Sequence, residues 1–220
     1  MGLTRPLVEV LKGIIERTYG IPSIIPDIGP FIVGDEGLRS LYGGSTSSTQ
    51  AKGARVLVRE LDHSLRAALY YPNALVRHLE RFNPLESVGD VNIAAFAVLV
   101  EEVDHLLTIA SRAAEGRTVS LLELEHHACV TKYLMVLHFL GKQTGRRKLG
   151  DALKQWVRFH LFERYSQGAG REAARYREAA RLAWQYLKHF EAMPLERRRT
   201  EIRAYHRRPF SEMLYQATLN

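Results

Sequence analysis

From Val91 to Gly141 the chain carries two long, mostly apolar runs joined by a short turn, NIAAFAVLVEEVDHLLTIASRAAEG and RTVSLLELEHHACVTKYLMVLHFLG. The second has Leu, Val, Met, Tyr and Phe on nearly every side of a helical wheel. A helix of that kind belongs either at the centre of a domain or in a membrane. Glu125, His126, His127, Lys132 and His138 interrupt it, well short of the ~18 uninterrupted apolar residues a spanning helix needs. The pair is therefore read as the central helical hairpin of the fold.

Local chemistry sets the ends of these helices. The first opens at Asp90 or Asn92 and closes at Gly116, a residue suited to the left-handed position past a helix end. Its main apolar face holds Phe96, Leu99, Val100, Val103, Leu106, Leu107 and Ala110, with Glu101, Asp104, Thr108 and Arg112 forming a separate polar set. The second starts with Ser120 and Glu123 in capping-box spacing, with Val119 able to staple onto Leu124, and runs to Gly141.

Before the hairpin, Thr4 and Pro6 open a helix to about Thr18 with an apolar stripe of Leu7, Leu11, Ile14 and Ile15. Prolines at 22, 26 and 30 and glycines at 20, 29, 34 and 37 then forbid a long helix. The apolar residues among them are too many for a free linker, so this segment is expected to wrap the domain. Gly43 to Gly53 reads as a flexible surface loop. RVLVREL and SLRAALYYP fit either a helix or two strands turning at Asp62-His63. Alternation of Val56, Val58, Leu65, Ala67, Leu69 and Tyr71, with Pro72 at the end, favours the strands. Asn73 is expected to cap the short helix that follows.

After Gly141 the chemistry changes. Residues 1–140 hold 13 Lys+Arg and 16 Asp+Glu, and residues 141–220 hold 18 and 8, so the last third carries all of the net +7. Asp151 is expected to cap a helix to about Ser166, Arg171–Met193 forms an amphipathic helix, and Pro194 and Pro209 start two more. Candidate contacts for phosphate or an acidic partner are Arg146, Arg147 and Lys148 in a turn, and Arg177, Arg181 and Lys188 along one helix flank. Arg197, Arg198, Arg199, Arg203, Arg207 and Arg208 complete the set. A solvated Arg-rich surface explains the same residues equally well.

One short pattern recurs: apolar-x-Glu-apolar-acid-His ends at His63, His105 and His126. Glu and His three apart share a helix face, the spacing used in di-iron and di-manganese four-helix proteins. Ferritin-like proteins are the nearest analogy, but their order alternates a lone Glu with Glu-x-x-His, which is not the order here. Glu102, His105, Glu60, His63, Glu123, Glu125 and His126 are thus candidate ligands for iron, manganese or zinc. Glu102 is the hardest to dismiss, because its wheel position falls beside Ala95, Leu106 and Ile109. A carboxylate there must be paired, protonated or bound to a cation. His105, one turn on, is its nearest partner. Glu125 and Lys132, on one face with Cys129 between them, are candidates for a buried pair with a neighbouring helix.

The fold expected is α+β, mainly α. A helical bundle surrounds the central hairpin, with a small N-terminal β-hairpin and a Pro/Gly-rich wrapping segment. Residues 1–53 hold the N-terminal helix, wrap and loop, and 54–220 form one helical domain whose part 142–220 is basic. One cysteine, Cys129, excludes an intramolecular disulfide framework and fits a reducing cytoplasm. No membrane span and no signal peptide are expected, and a homo-oligomer is compatible with the pattern. No serine-hydrolase or P-loop motif is legible. Three functions follow as expectations: a non-enzymatic interaction protein whose basic helices bind nucleic acid or an acidic protein, a helical metalloprotein with a Glu/His site, or a structural subunit of a complex.

Overall fold

The computed structural model describes residues 4–41, 53–62, 64–146, 148–163 and 170–218. The central pair is α4 (Ile93–Ala114) and α5 (Leu121–Thr144), antiparallel neighbours along most of their length. The turn between them follows from two residues. Gly116 adopts φ 65, the Gly116 amide donates to Ala113 O and the Arg117 amide to Arg112 O, which closes α4 with a Schellman motif. Ser120 then accepts the Glu123 amide and starts α5.

Other helix ends differ from the sequence expectation. The α5 helix runs a turn past Gly141 and stops at Gly145, φ 64; nothing at Gly141 forces a left-handed turn. Asn92 precedes α4, but its side chain spans the loop before the helix, accepting from Gly89 N and donating to Phe82 O and Ser87 O. Pro72, not Asn73, occupies the cap position of α3 (Asn73–Arg81), and Gly150, not Asp151, that of α6 (Asp151–Arg158). Neither of these ends has a side-chain cap.

The strand reading of residues 54–72 holds. Here β2 (Arg55–Leu61) and β3 (Ser64–Tyr70) pair antiparallel, with Val56 opposite Leu69 and Val58 opposite Ala67. Leu61 faces Ser64, at the end of the strand pair nearest the expected turn; His63 lies outside the described residues. A third strand, β1 (Ile32–Val33), joins parallel to β3, giving the order β1-β3-β2. That strand and the short helix α2 (Asp35–Leu41) come from the wrapping segment and were not legible in it. Asp35 ties them down by accepting from the Tyr70 hydroxyl at 2.9 Å. The loop expected at Gly43 to Gly53 falls, apart from Gly53, outside the described residues.

Around this frame, α1 (Thr4–Tyr19) crosses α4, and α7 (Gly170–Ala192) lies along α5. Next come α8 (Leu195–Arg207), which packs on α1, and α9 (Phe210–Thr218). Leu7, Leu11, Ile14 and Ile15 of α1 are all buried, each contributing about 1.5–3 kcal/mol of transfer free energy. One core joins them to Phe96, Leu99, Val100 and Val103 of α4 and to Val130, Tyr133 and Val136 of α5. Between α6 and the next described helix, Phe159–Glu163 is wound as a π-helical turn, a distortion frequent at functional sites. No helix among the described residues is long and apolar enough to cross a membrane.

Candidate metal centre

The polar residues of α4 do not face water. Asp104 and Thr108 are fully buried, and Arg112 is 1% exposed. The polar set of the helical wheel therefore points inward, and it divides into two clusters.

The first cluster locks the helices together. His127 Nδ1 lies 2.8 and 3.0 Å from the two Asp104 oxygens, and the Thr131 hydroxyl donates to Asp104 at 2.6 Å. Because that hydroxyl's proton is used, Tyr19, 2.6 Å away, donates to Thr131. His127 Nε2 sits 3.0 Å from His206 Nδ1, and His206 Nε2 is 3.3 Å from Ser111 Oγ. Burial first, then His127 and nearby arginines, lower the His206 pKa to about 2, so this ring is neutral and can donate from one nitrogen and accept at the other. Arg112 donates to Glu123 at 3.0 Å and to the His206 carbonyl at 2.7 Å.

This cluster accounts for two of the expected metal ligands. Glu123 supplies its amide to Ser120 but turns its carboxylate to Arg112 instead of completing a capping box. His126 stands near Tyr205, whose hydroxyl is 3.2 Å from its Nδ1, and burial lowers its pKa to about 3. Glu60 is exposed on β2. None of the three reaches Glu102 or His105 in a common group.

The second cluster is different. Glu101 and His105, one turn apart on α4, meet Glu125 of α5, with one ligand-capable atom from each lying within 4.8 Å of the others. Ligands on one ion at about 2.0–2.2 Å stand roughly 3–4 Å apart, so a cation needs these atoms to draw in by under about 1 Å. Glu102 joins from the other side: its Oε2 is 3.6 Å from His105 Nδ1, while His105 Nε2 is 4.0 Å from Glu125 Oε2. Nε2 is buried and has no hydrogen-bond partner among the described residues. A carboxylate near Nδ1 favours a proton there, so in the neutral ring the Nε2 lone pair would face Glu125.

Cations complete the balance. Lys132 Nζ donates to Glu101 at 2.5 Å, and Arg175 of α7 approaches Glu125 at 3.5 Å. Burial opposes the His105 imidazolium, but Glu102, Glu101 and Glu125 outweigh it and raise the pKa to about 9. Burial, then Glu101, pushes Glu125 up to about 7 against the pull of His105, Lys132 and Arg175. Burial also opposes the Lys132 ammonium, and Glu101 chiefly overrides it, raising the pKa. With His105 protonated, His105, Lys132 and Arg175 offset Glu101, Glu102 and ionised Glu125. Were a divalent ion held here, His105 would have to give up a proton before its Nε2 could coordinate.

Glu101 also faces a cavity of about 920 Å³. Both α4 and α7 pack on α5, and the space between them stays open because small side chains (Ala94, Ala97, Ala173, Ala180) line both walls. Cys129 and Lys132 of α5 form its floor, and Phe162 and Trp184 are among its aromatic lining. Burial pushes the Cys129 thiol up to about 11, so it is a poor nucleophile.

Of the expected ligands, the fold thus gathers Glu102, His105 and Glu125. Glu101 was missed because its neighbours on the wheel, Asp104, Thr108 and Arg112, mark a polar face that looks solvated. Lys132, an unexplained cation in an apolar helix, was the available pointer to its partner.

The basic residues are dispersed. Arg198 donates to the Met193 and Glu191 carbonyls at the end of α7. Arg181 pairs with Glu178, Arg208 with Glu201, and Arg203 approaches the Arg17 carbonyl. Arg177 lines the cavity beside Glu101. Arg146, Lys148, Lys188, Arg197, Arg199 and Arg207 are exposed, and Arg147 lies outside the described residues. Comparison with protein-family models, with curated proteins and with solved structures finds no match.

Proposed function

We propose that this chain is a helical metalloprotein that holds one divalent transition ion, iron, manganese or zinc, between α4 and α5. His105 Nε2, Glu101 and Glu125 are the ligands, and Glu102 orients the imidazole from behind. One observation carries the reading: a buried imidazole, its Nε2 without a hydrogen bond to any described residue, is gathered with two carboxylates from two helices. Buried polar atoms are paired in the great majority of cases, and an orphan needs a reason. The neighbouring cavity gives a small molecule access to the Glu101 side, so the ion's remaining positions can take water or substrate.

Elemental analysis of protein purified without a polyhistidine tag tests this. About one equivalent of one transition metal is expected, falling to background in His105→Ala and Glu125→Gln. Less than about 0.2 equivalents after reconstitution with iron, manganese and zinc would refute it.

A second reading rests on α8, where Arg197, Arg199 and Arg207 are exposed and form no ion pair with a described residue. These can dock an acidic protein or nucleic acid. Binding that does not weaken steeply between about 50 and 200 mM salt would remove the nucleic-acid form of it.

A further inference from the structure

A second cleft, of about 940 Å³, lies among the end of α5, the turn after it, the start of α6 and the α7–α8 junction. It shares no lining residue with the cavity beside Glu101. Lys142, Arg146, Lys148, Lys154 and Arg198 line it, against the carboxylates of Asp151 and Glu191.

The charges already in use can be set aside. Glu191 accepts from the Tyr133 hydroxyl at 2.8 Å and pairs with Lys154 at 3.0 Å. Arg198 is committed to two backbone carbonyls. What remains is exposed Lys142, Arg146 and Lys148, with exposed Asp151 the one opposing group. None of the three cations pairs with a described residue. Gly145 brings two of them together: with φ 64 it turns the chain back so that the Arg146 amide donates to Gly141 O. The first turn of α6 opens on the same cleft without a side-chain cap at Gly150, and free amides at a helix start favour an anion.

The lining is not cationic throughout. Leu137, Leu149, Met193 and Leu195 supply apolar surface. A concave site of some 300–1,000 Å³ suits a small ligand, whereas a single-stranded nucleic acid takes an extended groove with stacking aromatics. We infer that this cleft binds a small phosphorylated molecule of nucleotide size, its phosphates on Lys142, Arg146 and Lys148 and its apolar part against Met193 and Leu195. The inference is independent of the metal reading and goes beyond general attraction by the basic helices.

Calorimetry on the full chain with adenosine diphosphate and with inorganic pyrophosphate tests it. Both bind, the nucleotide more tightly, and K142E/R146E weakens both at least about tenfold. Leu195→Ser weakens the nucleotide alone, and Arg199→Glu, outside the cleft, changes neither. The substituted residues are exposed, and circular dichroism checks their fold; should the double variant misfold, Lys148→Glu takes its place. No binding of either probe up to about 5 mM overturns the proposal. So does an equal loss in Arg199→Glu, which would mean diffuse attraction, or displacement of the nucleotide by a more tightly held oligonucleotide.

Discussion

Replacing Arg112 by Met separates scaffold from site. Arg112 is 1% exposed, donates to Glu123 at 3.0 Å and to the His206 carbonyl at 2.7 Å, and so ties α4 to α5 and to the end of α8. Met keeps most of the packing volume, so the loss is electrostatic. Leaving the buried Glu123 carboxylate without its cation costs about 3–5 kcal/mol. The stranded carbonyl adds about 1 kcal/mol. A loss near 4–6 kcal/mol takes much of the 5–15 kcal/mol that stabilises an ordinary domain. Adding Glu123→Gln removes the stranded charge and is expected to restore about 2–3 kcal/mol, because the amide costs less to bury than the carboxylate. Urea unfolding of the four members of the cycle measures both figures, provided the m-values agree. A loss below about 1.5 kcal/mol for Arg112→Met, or no recovery in the double variant, would show that this pair is not the brace between the helices.

Other outcomes follow from the same geometry. Glu123→Gln is expected to retain bound metal, with affinity lowered at most as far as Arg112→Met lowers it, while Glu125→Gln abolishes it, since of the two only Glu125 shares a group with His105; equal effects in elemental analysis would contradict the division into two clusters. Thermal melts of metal-free protein should show greatest stability near neutral pH. His126 and His206 are lowered to about 3 and 2, so between pH 6.5 and 4.5 the unfolded chain takes up two protons that the folded chain refuses. Glu125, raised to about 7, holds one proton in the folded state that the unfolded chain has lost. The net difference of about one proton, to which the lowered pKa values of His138 and Glu101 add in the same direction, makes stability rise with pH by at least about 1.4 kcal/mol per unit in that window. His105 is raised to about 9, so its contribution is full below pH 6.5 and is lost as pH climbs through 9. A melting temperature flat from pH 5 to 9 would contradict both limbs. Gly145→Ala should cost about 1 kcal/mol in urea unfolding, because φ 64 is strained for any L side chain; a neutral effect would mean that the end of α5 unwinds freely.

How much the chain disclosed depended on which residues held the information. The central pair, the hairpin and the stripe of α1 were readable because apolar period and turn chemistry are local. The third strand was not: Ile32 and Val33 become a strand only by lying beside Leu69 and Tyr70, and pairing at that separation leaves no mark on a two-residue segment. The α2 helix contains Gly37 and follows a Pro/Gly-rich run, so its propensity argued against it, and Asp35 holds it through Tyr70. Within the site, Glu102 and His105 announced themselves by spacing. Glu101 and Asp104 did not, because a wheel separates polar from apolar faces without saying whether the polar face meets water or another polar face.

That ambiguity also explains why two clusters can share one helix pair. A shift from Glu101 to Asp104 along α4 turns a side chain by about 300°, enough to aim it at a different neighbour. Asp104 meets His127 and Thr131, with Tyr19 of α1 and His206 of α8 behind them, and its oxygens and both His127 nitrogens have partners. A satisfied network of this kind rigidifies and specifies the packing. Glu101 lines the cavity between α4 and α7 and also meets His105, whose buried Nε2 has no hydrogen-bond partner among the described residues. Other buried atoms without a hydrogen-bond partner among the described residues include Arg112 Nη1 of the first cluster, Tyr186 Oη and Arg203 Nε, so it is the two facing carboxylates, not the missing partner alone, that set His105 apart. The first cluster holds α1, α4, α5 and α8 in place, so the second can keep an unsatisfied nitrogen at fixed distance from two carboxylates. Loosening the scaffold, as Arg112→Met does, should therefore lower metal affinity at a site it does not touch, whereas removing a ligand such as Glu125 should abolish the site without comparable loss of stability.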